Sequence, residues 1–225
     1  MTPAVPELVI FDHDGVLVDS EIIAMELLSI MATDHGRPTS TDEAFDRYLG
    51  TSFDFVMDDL RSTGAAIDRD ALYDSFHADL FEGFRTRLQP VPGIPELLGA
   101  LVAAGRPLAI ASSGSRDRVH LGTSSTAIDL FFRGSPVITA NDVERGKPFP
   151  DLFLAAAERA GIAPDRCLVI EDSPFGVEAA HRAGMTAVGL AHRTPAENLH
   201  EADHVVTSVA EIWPLVGLSD VVAAE

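Results

Sequence analysis

Positive charge is scarce in this chain: 16 Lys and Arg stand against 35 Asp and Glu, a formal net charge of −19. Such a surface repels phosphate backbones and anionic headgroups, so neither nucleic acid nor a membrane is expected as a partner. An anionic ligand would need a local cation to hold it. Cysteine is nearly absent. The single Cys167 excludes an intrachain disulfide and fits a reducing compartment. Within Cys167-Leu168-Val169-Ile170 it reads as a small buried strand residue, not a nucleophile. No apolar run approaches the ~20 residues of a membrane span, and no basic-plus-apolar leader is visible, so a cytoplasmic protein is expected. Internal repeats and low-complexity tracts are missing. His35, His77, His181, His192, His200 and His204 show no metal-ligand spacing and read as surface or satisfied core positions.

What remains is an ordinary globular composition, 46% hydrophobic and 23% charged over 225 residues, enough for one large domain or two small ones. Apolar, β-rich runs recur at Leu8–Phe11, Leu108–Ala111, Val137–Thr139, Leu168–Ile170, Ala187–Leu190 and His204–Val206. Helical patterns separate most of them: Ile94–Ala104, Pro150–Ala160, Phe175–Ala183 and Val209–Val216 with the lone Trp213. That alternation predicts an α/β fold, a parallel sheet with helices on both faces. Gly105, Gly161 and Gly184 each follow a helical run where a left-handed closure is common.

The stretch between the first two strands is different. From Glu21 to Gln89 there is no convincing strand, and Leu72, Phe76, Leu80 and Phe84 repeat at four-residue spacing within a predicted helix over Asp70–Arg87. About seventy residues is too long for a crossover, so an inserted helical subdomain is expected. Pro90-Val91-Pro92-Gly93 marks the return to the sheet. The predicted division is 1–20 with 90–225 for the core and 21–89 for the insertion. The tail after Gly217 is expected to fray.

Four polar clusters sit where strands end. Leu8–Phe11 runs into Asp12-His13-Asp14-Gly15, two acids at the carboxyl edge of a sheet, where open α/β folds bind ligands. One carboxylate and a nearby main-chain carbonyl could share a hard cation; an acidic turn is the plain alternative. The second strand leads into Ser112-Ser113-Gly114-Ser115, a loop that could present N–H groups and hydroxyls to an anion or simply cap a helix. Arg116 and Asp117 open that helix and read as a surface ion pair within reach of the loop. Lys147 lies in Gly146-Lys147-Pro148, a rigid setting that could supply the missing local cation or a surface turn. Leu168–Ile170 ends in Glu171-Asp172-Ser173, acids that could complete a cation site with Asp12 or cap the next helix.

Taken in order, these segments resemble the haloacid dehalogenase-like superfamily of phosphotransferases, over nearly the whole chain. The family's motifs are matched by Asp12-His13-Asp14-Gly15 through Asp19-Ser20, by Ser112, by Lys147-Pro148-Phe149-Pro150, and by Glu171-Asp172-Ser173. The helical insertion resembles the α-helical cap of the phosphoglycolate phosphatase and β-phosphoglucomutase subgroup. The resemblance implies a Rossmann-like, doubly wound core and a Mg2+-dependent phosphatase acting on a small phosphorylated metabolite, with no nucleic-acid or membrane partner and a monomeric state. It implies Asp12 as nucleophile, Asp14 as general acid and base, and Ser112, Ser113 and Lys147 as phosphate-binding residues. It implies Asp12, the Asp14 carbonyl and Asp172 as metal ligands, with Glu171 as a ligand or just outside the first shell. The second Asp of the first motif favours phosphoryl transfer over dehalogenation.

Two alternatives stand beside this. A phosphosugar mutase would carry a His in the first cap helix and an Arg in a cap loop, where this chain has Ala24 and Phe53. A receiver-like phospho-switch has similar acids, hydroxyl and Lys but no helical insertion after the first strand. Val18-Asp19-Ser20-Glu21 resembles phosphatases of sugar phosphates and sugar-acid phosphates, with Glu21, Arg47, Tyr48, Thr51 and Ser52 as cap residues that could meet the substrate.

Overall fold

The computed structural model describes residues 5–218 and divides the chain into two compact units, Asp19–Leu88 and the remainder. The tail for which fraying is expected lies, beyond Leu218, outside the described residues.

The larger unit is built on a six-stranded, all-parallel sheet: β1 (Leu8–Phe11), β2 (Leu108–Ala111), β3 (Val137–Ile138), β4 (Cys167–Glu171), β5 (Thr186–Leu190) and β6 (His204–Val206). All six fall on the predicted apolar runs to within a residue or two. Strands β1, β2 and β4 are buried along their full length, which is why they read as continuous apolar runs instead of alternating ones. The spatial order is β3-β2-β1-β4-β5-β6. The chain therefore winds outward from β1 in one direction, then crosses to the other side of β1 and winds outward again. The reversal places a crevice at the carboxyl ends of β1 and β4. The register pairs Phe11 with Ile170, so the residues that follow, Asp12 and Glu171, leave the sheet side by side.

One face is filled by Leu8 and Ile10 of β1, the small Ala109 and Ala111 of β2, and Leu152, Phe153, Ala156 and Ala157 of the helix Asp151–Ala160, all essentially inaccessible. Burying a Leu or Phe side chain of this kind contributes about 1.5–3 kcal/mol. The small residues let that helix approach the sheet closely. Its closure at Gly161 takes φ 69°, the left-handed conformation expected from the sequence. The pattern over Val209–Val216 becomes a 3-10 turn (Val209–Glu211) followed by a short helix (Ile212–Leu215), because Pro214 cannot donate within a longer one.

The smaller unit holds four helices: α1 (Ser20–Asp34), α2 (Thr41–Tyr48), α3 (Phe53–Arg61) and α4 (Arg69–Arg87). Phe76, Leu80 and Phe84 of α4 are buried, as the four-residue spacing predicts, while Leu72 at the far end is half-buried. A four-residue step advances slightly more than one turn, so a long stripe of this kind rotates away from the core. Local chemistry starts the helices. Ser40 and Glu43 form a reciprocal capping box on α2, Ser52 caps α3 by accepting from Phe55 N, and Asp68 caps α4 by accepting from Ala71 N.

Candidate active site

The loop after β1 turns tightly. Gly15 N donates to Val18 O at 2.9 Å, while Leu17 N and Val18 N both donate to His13 O. Gly15 has φ 76°, and a Cβ there would lie 2.0 Å from Asp172 Oδ2. Only glycine allows the loop of β1 and the acid of β4 to come this close.

Asp12, Glu171 and Asp172 are all buried, and each offers a carboxylate oxygen within 4.8 Å of the others. Lys147, from the loop before the helix Asp151–Ala160, reaches into this group. Its Nζ is 2.6 Å from Asp12 Oδ1 and 2.5 Å from Glu171 Oε1, with the Phe153 ring 5.3 Å away. The second oxygen of Glu171 is also engaged: Oε2 accepts from Asp172 N, Ser173 N and Ser173 Oγ at 2.9–3.1 Å. Gly176 makes this possible, since a Cβ at that position would lie 1.9 Å from the Glu171 carboxyl carbon. The cap of the following helix, Pro174–Arg182, is Ser173, which accepts from Gly176 N at 3.0 Å; neither acid serves as its N-cap.

Electrostatics separate the two acids of the first loop. Burial pushes Asp12 up to about 6; Lys147 works against this and Glu171 adds to it. Burial also opposes ionisation of Asp14, but Arg118, helped by His13, outweighs it and holds Asp14 well below the usual carboxylate range. Burial disfavours a charged Lys147, yet Asp12 and Glu171 raise it, so the ammonium persists. Two more acids than cations meet around Lys147, an all-oxygen donor set that fits magnesium or another hard divalent ion.

Ser112 is buried at the end of β2, where its Oγ accepts from Gly114 N at 3.0 Å and its N donates to Ile138 O. Ser113 is exposed in the same loop. Ser115 caps the next helix, Arg116–Ser125, by accepting from Arg118 N. Arg116 pairs with Asp142 at 2.6 Å, a surface ion pair with a partner other than Asp117. The residue that reaches the crevice is Arg118, which lies in none of the strand-end clusters. Its Nε lies 3.1 and 3.0 Å from the two oxygens of Asp14, and its Nη2 lies 2.8 Å from Oδ1. Helical phase brings it there: two residues past Arg116, the side chain points about 200° further round the helix axis.

The candidates in the helical unit have local duties. Ser52 is the α3 cap. Thr51 Oγ1 donates to Tyr48 O at 2.8 Å, Arg47 lies 3.4 Å from Asp59, and Tyr48 donates to Asp59 at 2.7 Å. Glu21 stands half-buried in the first turn of α1.

Residues 9–190 match the family model of the haloacid dehalogenase-like hydrolases. The chain belongs to that family. Among curated haloacid dehalogenase-like relatives, the validoxylamine A 7'-phosphate phosphatase of Streptomyces hygroscopicus subsp. limoneus is 33% identical over 95% of this chain and 99% of its own. Hexitol phosphatase A of Escherichia coli (strain K12) is 33% identical over 90% and 91%. A phosphoglycolate phosphatase of Shigella dysenteriae serotype 1 (strain Sd197) is 28% identical over 93% and 92%. In structure, a conserved haloacid dehalogenase-like protein of unknown function from Agrobacterium tumefaciens str. C58 matches with TM-score 0.81 and 31% identity, covering 90% of this chain and 93% of that one. No helix among the described residues is long and apolar enough to cross a membrane.

Proposed function

We propose that this protein is a magnesium-dependent phosphomonoesterase that acts on a small phosphorylated metabolite, a sugar or sugar-acid phosphate, through an aspartyl-phosphate intermediate. The observation that carries the reading is the convergence of Asp12, Asp172 and Lys147 on one buried point, with Asp14 beside it at the carboxyl ends of β1 and β4. Relatives named as phosphatases of hexitol and glycolate phosphates support it.

In this reading an Asp12 carboxylate oxygen attacks phosphorus. The O–P bond to Asp12 forms as the ester O–P bond breaks, and Asp14 gives its proton to the departing oxygen. Water then attacks the same phosphorus, Asp14 takes a proton from it, and the Asp12–phosphorus bond breaks to release inorganic phosphate. Arg118 favours the ionised Asp14 that accepts the proton from water; donating a proton requires that pair to open. Lys147 offsets the repulsion between carboxylate and phosphate, and Ser112 and Ser113 present donors to the phosphoryl oxygens. Asp12, Asp172 and the Asp14 carbonyl would hold magnesium, which when bound adds positive charge where the transferring oxygens gather. Glu171 has both oxygens engaged by Lys147 and the β4 loop, which supports a place outside the first shell.

The helical unit is proposed to select the leaving half of the substrate, as the cap of this family. Phe53 packs edge-on against Tyr73, ring centroids 5.1 Å apart, and lies 5.6 Å from Phe76. An aromatic cluster at that position favours hydrolysis over a mutase, which needs a cation there to hold a second phosphate.

The deciding measurement is phosphate release from p-nitrophenyl phosphate with and without magnesium, for the native protein and for Asp12→Asn. Loss of about a thousandfold or more is expected, the scale of removing a nucleophile. Equal rates would falsify the assignment of Asp12.

A further inference from the structure

The geometry points to Arg118 as the residue that sets substrate choice, by recognising an anionic group on the leaving half of the ester. This rests on the phosphomonoesterase reading and narrows it from sugar or sugar-acid phosphates to the acids.

Three observations lead there. The first is position. In the proposed reaction Asp14 touches the departing oxygen, and the Arg118 guanidinium contacts both Asp14 oxygens at 2.8–3.1 Å. Arg118 therefore lies on the side of the site from which the leaving half departs, whereas Lys147 is enclosed between Asp12 and Glu171, where phosphorus must be attacked.

The second is chemistry. A planar guanidinium presents paired N–H donors that match the two oxygens of a carboxylate or phosphate. Arg118 already holds a carboxylate in this two-oxygen fashion, that of Asp14 itself. The pair is only partly shielded, with side-chain exposures of 22% and 25%. That opening lets an incoming anion approach the guanidinium from solvent and compete with Asp14 for its donors.

The third is the surrounding field. The chain carries a net charge of −19, and the crevice concentrates four acids, Asp12, Asp14, Glu171 and Asp172. An anionic leaving half would be repelled by such a site unless a cation met it. A neutral polyol needs no such residue, and an Arg in a helix that merely continues the fold has no reason to reach across to β1. Arg116, two residues earlier, shows the other outcome: it pairs with Asp142 at the surface.

Matched esters test the assignment. 6-Phosphogluconate and glucitol 6-phosphate differ only in a carboxylate against a hydroxymethyl group at the far end. 2-Phosphoglycolate and 2-hydroxyethyl phosphate differ in the same way on a two-carbon frame. The native protein should favour the acid of each cleaved pair by about tenfold or more in kcat/KM, mostly through KM, the scale of one charge-assisted contact. Added salt should raise KM for the acid relative to the alcohol, since the response of the shared phosphate is common to both. Arg118→Gln should bring the ratio close to one, and Arg118→Lys should restore part of it, keeping the charge without the fork. Any loss caused by a misplaced Asp14 strikes both members of a pair and cancels in the ratio. If p-nitrophenyl phosphate alone is turned over, the same ratio is read from the esters' competitive inhibition constants. A native protein that handles the alcohols as well as the acids, or a ratio untouched by Arg118→Gln, overturns the assignment while leaving the phosphomonoesterase in place. Failure to release phosphate from all of these esters and from p-nitrophenyl phosphate overturns that reading as well.

Discussion

The two units of this molecule treat buried charge in opposite ways. In the helical unit one acid is surrounded by donors: Asp59 of α3 lies 2.8 Å from Arg37 Nε, 3.4 Å from Arg47 Nη1, and accepts from the Tyr48 hydroxyl at 2.7 Å. Donors outnumber the acid, and the result ties the link after α1 to α2 and α3. In the sheet unit one cation is surrounded by acids, since Asp12 and Glu171 both lean on Lys147 with Asp172 beside them. There the acids outnumber the cation, and Asp12 is pushed up to about 6, first by burial. A hub with surplus donors holds structure together. A hub with surplus buried acids leaves a demand for positive charge, which a metal ion and a transferring phosphoryl group can exploit.

The sharpest way to break this comparison is to remove the central ion of the sheet unit. Lys147→Met leaves Asp12 and Glu171 buried without their cation. It is expected to lower stability by about 3 kcal/mol or more in denaturant titration without magnesium, and phosphate release by about a hundredfold or more. A variant that unfolds like the native protein would show that the acids do not depend on Lys147. Next in size is Gly176→Ala. The added methyl would strike the Glu171 carboxyl, which Lys147 and three donors hold in place, so the loss is expected to be about 1–3 kcal/mol. Combining it with Glu171→Asp, which withdraws the carboxyl, should make the alanine nearly harmless. If the two costs simply add, the close approach is not what the glycine serves.

Much of the sheet unit is legible in the sequence because its constraints are local. Strands buried on both faces write themselves as Leu-Val-Ile-Phe and Leu-Val-Ile. The site residues follow directly from strand ends, so reading the strands nearly reads the crevice; Asp12, Ser112 and Glu171-Asp172 lie where their strands stop. What escapes is any contact that depends on helical phase or on long-range approach. Arg118 meets Asp14 across 104 positions, and only the helix start at Arg116, set by the Ser115 cap, decides which arginine turns inward. The Gly176–Glu171 fit is hidden for the same reason: a glycine in a helix reads as a weakness until the carboxyl beneath it is seen. In the helical unit only the long helix α4 is legible from its spacing, and Asp59 looks like any exposed helical acid until Arg37, Arg47 and Tyr48 close on it.

The smallest expected effect probes the helical hub and carries its own pH signature. Burial and the hydrogen bond to Asp59 push the Tyr48 phenol up to about 12, above its ordinary value of 10.0. The folded state thus holds this proton more tightly than the unfolded chain does. The stability from that preference is fully present below pH 10 and is lost as pH rises through 12. Tyr48→Phe removes the hydroxyl and is expected to cost about 1 kcal/mol near pH 8, with phosphate release falling no more than about twofold, since the residue serves the hub and not the chemistry. Between pH 10 and 12 the native protein should lose stability faster than Tyr48→Phe, so the gap between their denaturant midpoints narrows. A gap that stays constant across that range would mean the Tyr48 proton is not what the Asp59 contact holds. A loss of activity as large as that of Lys147→Met would mean the two hubs are not separate in function.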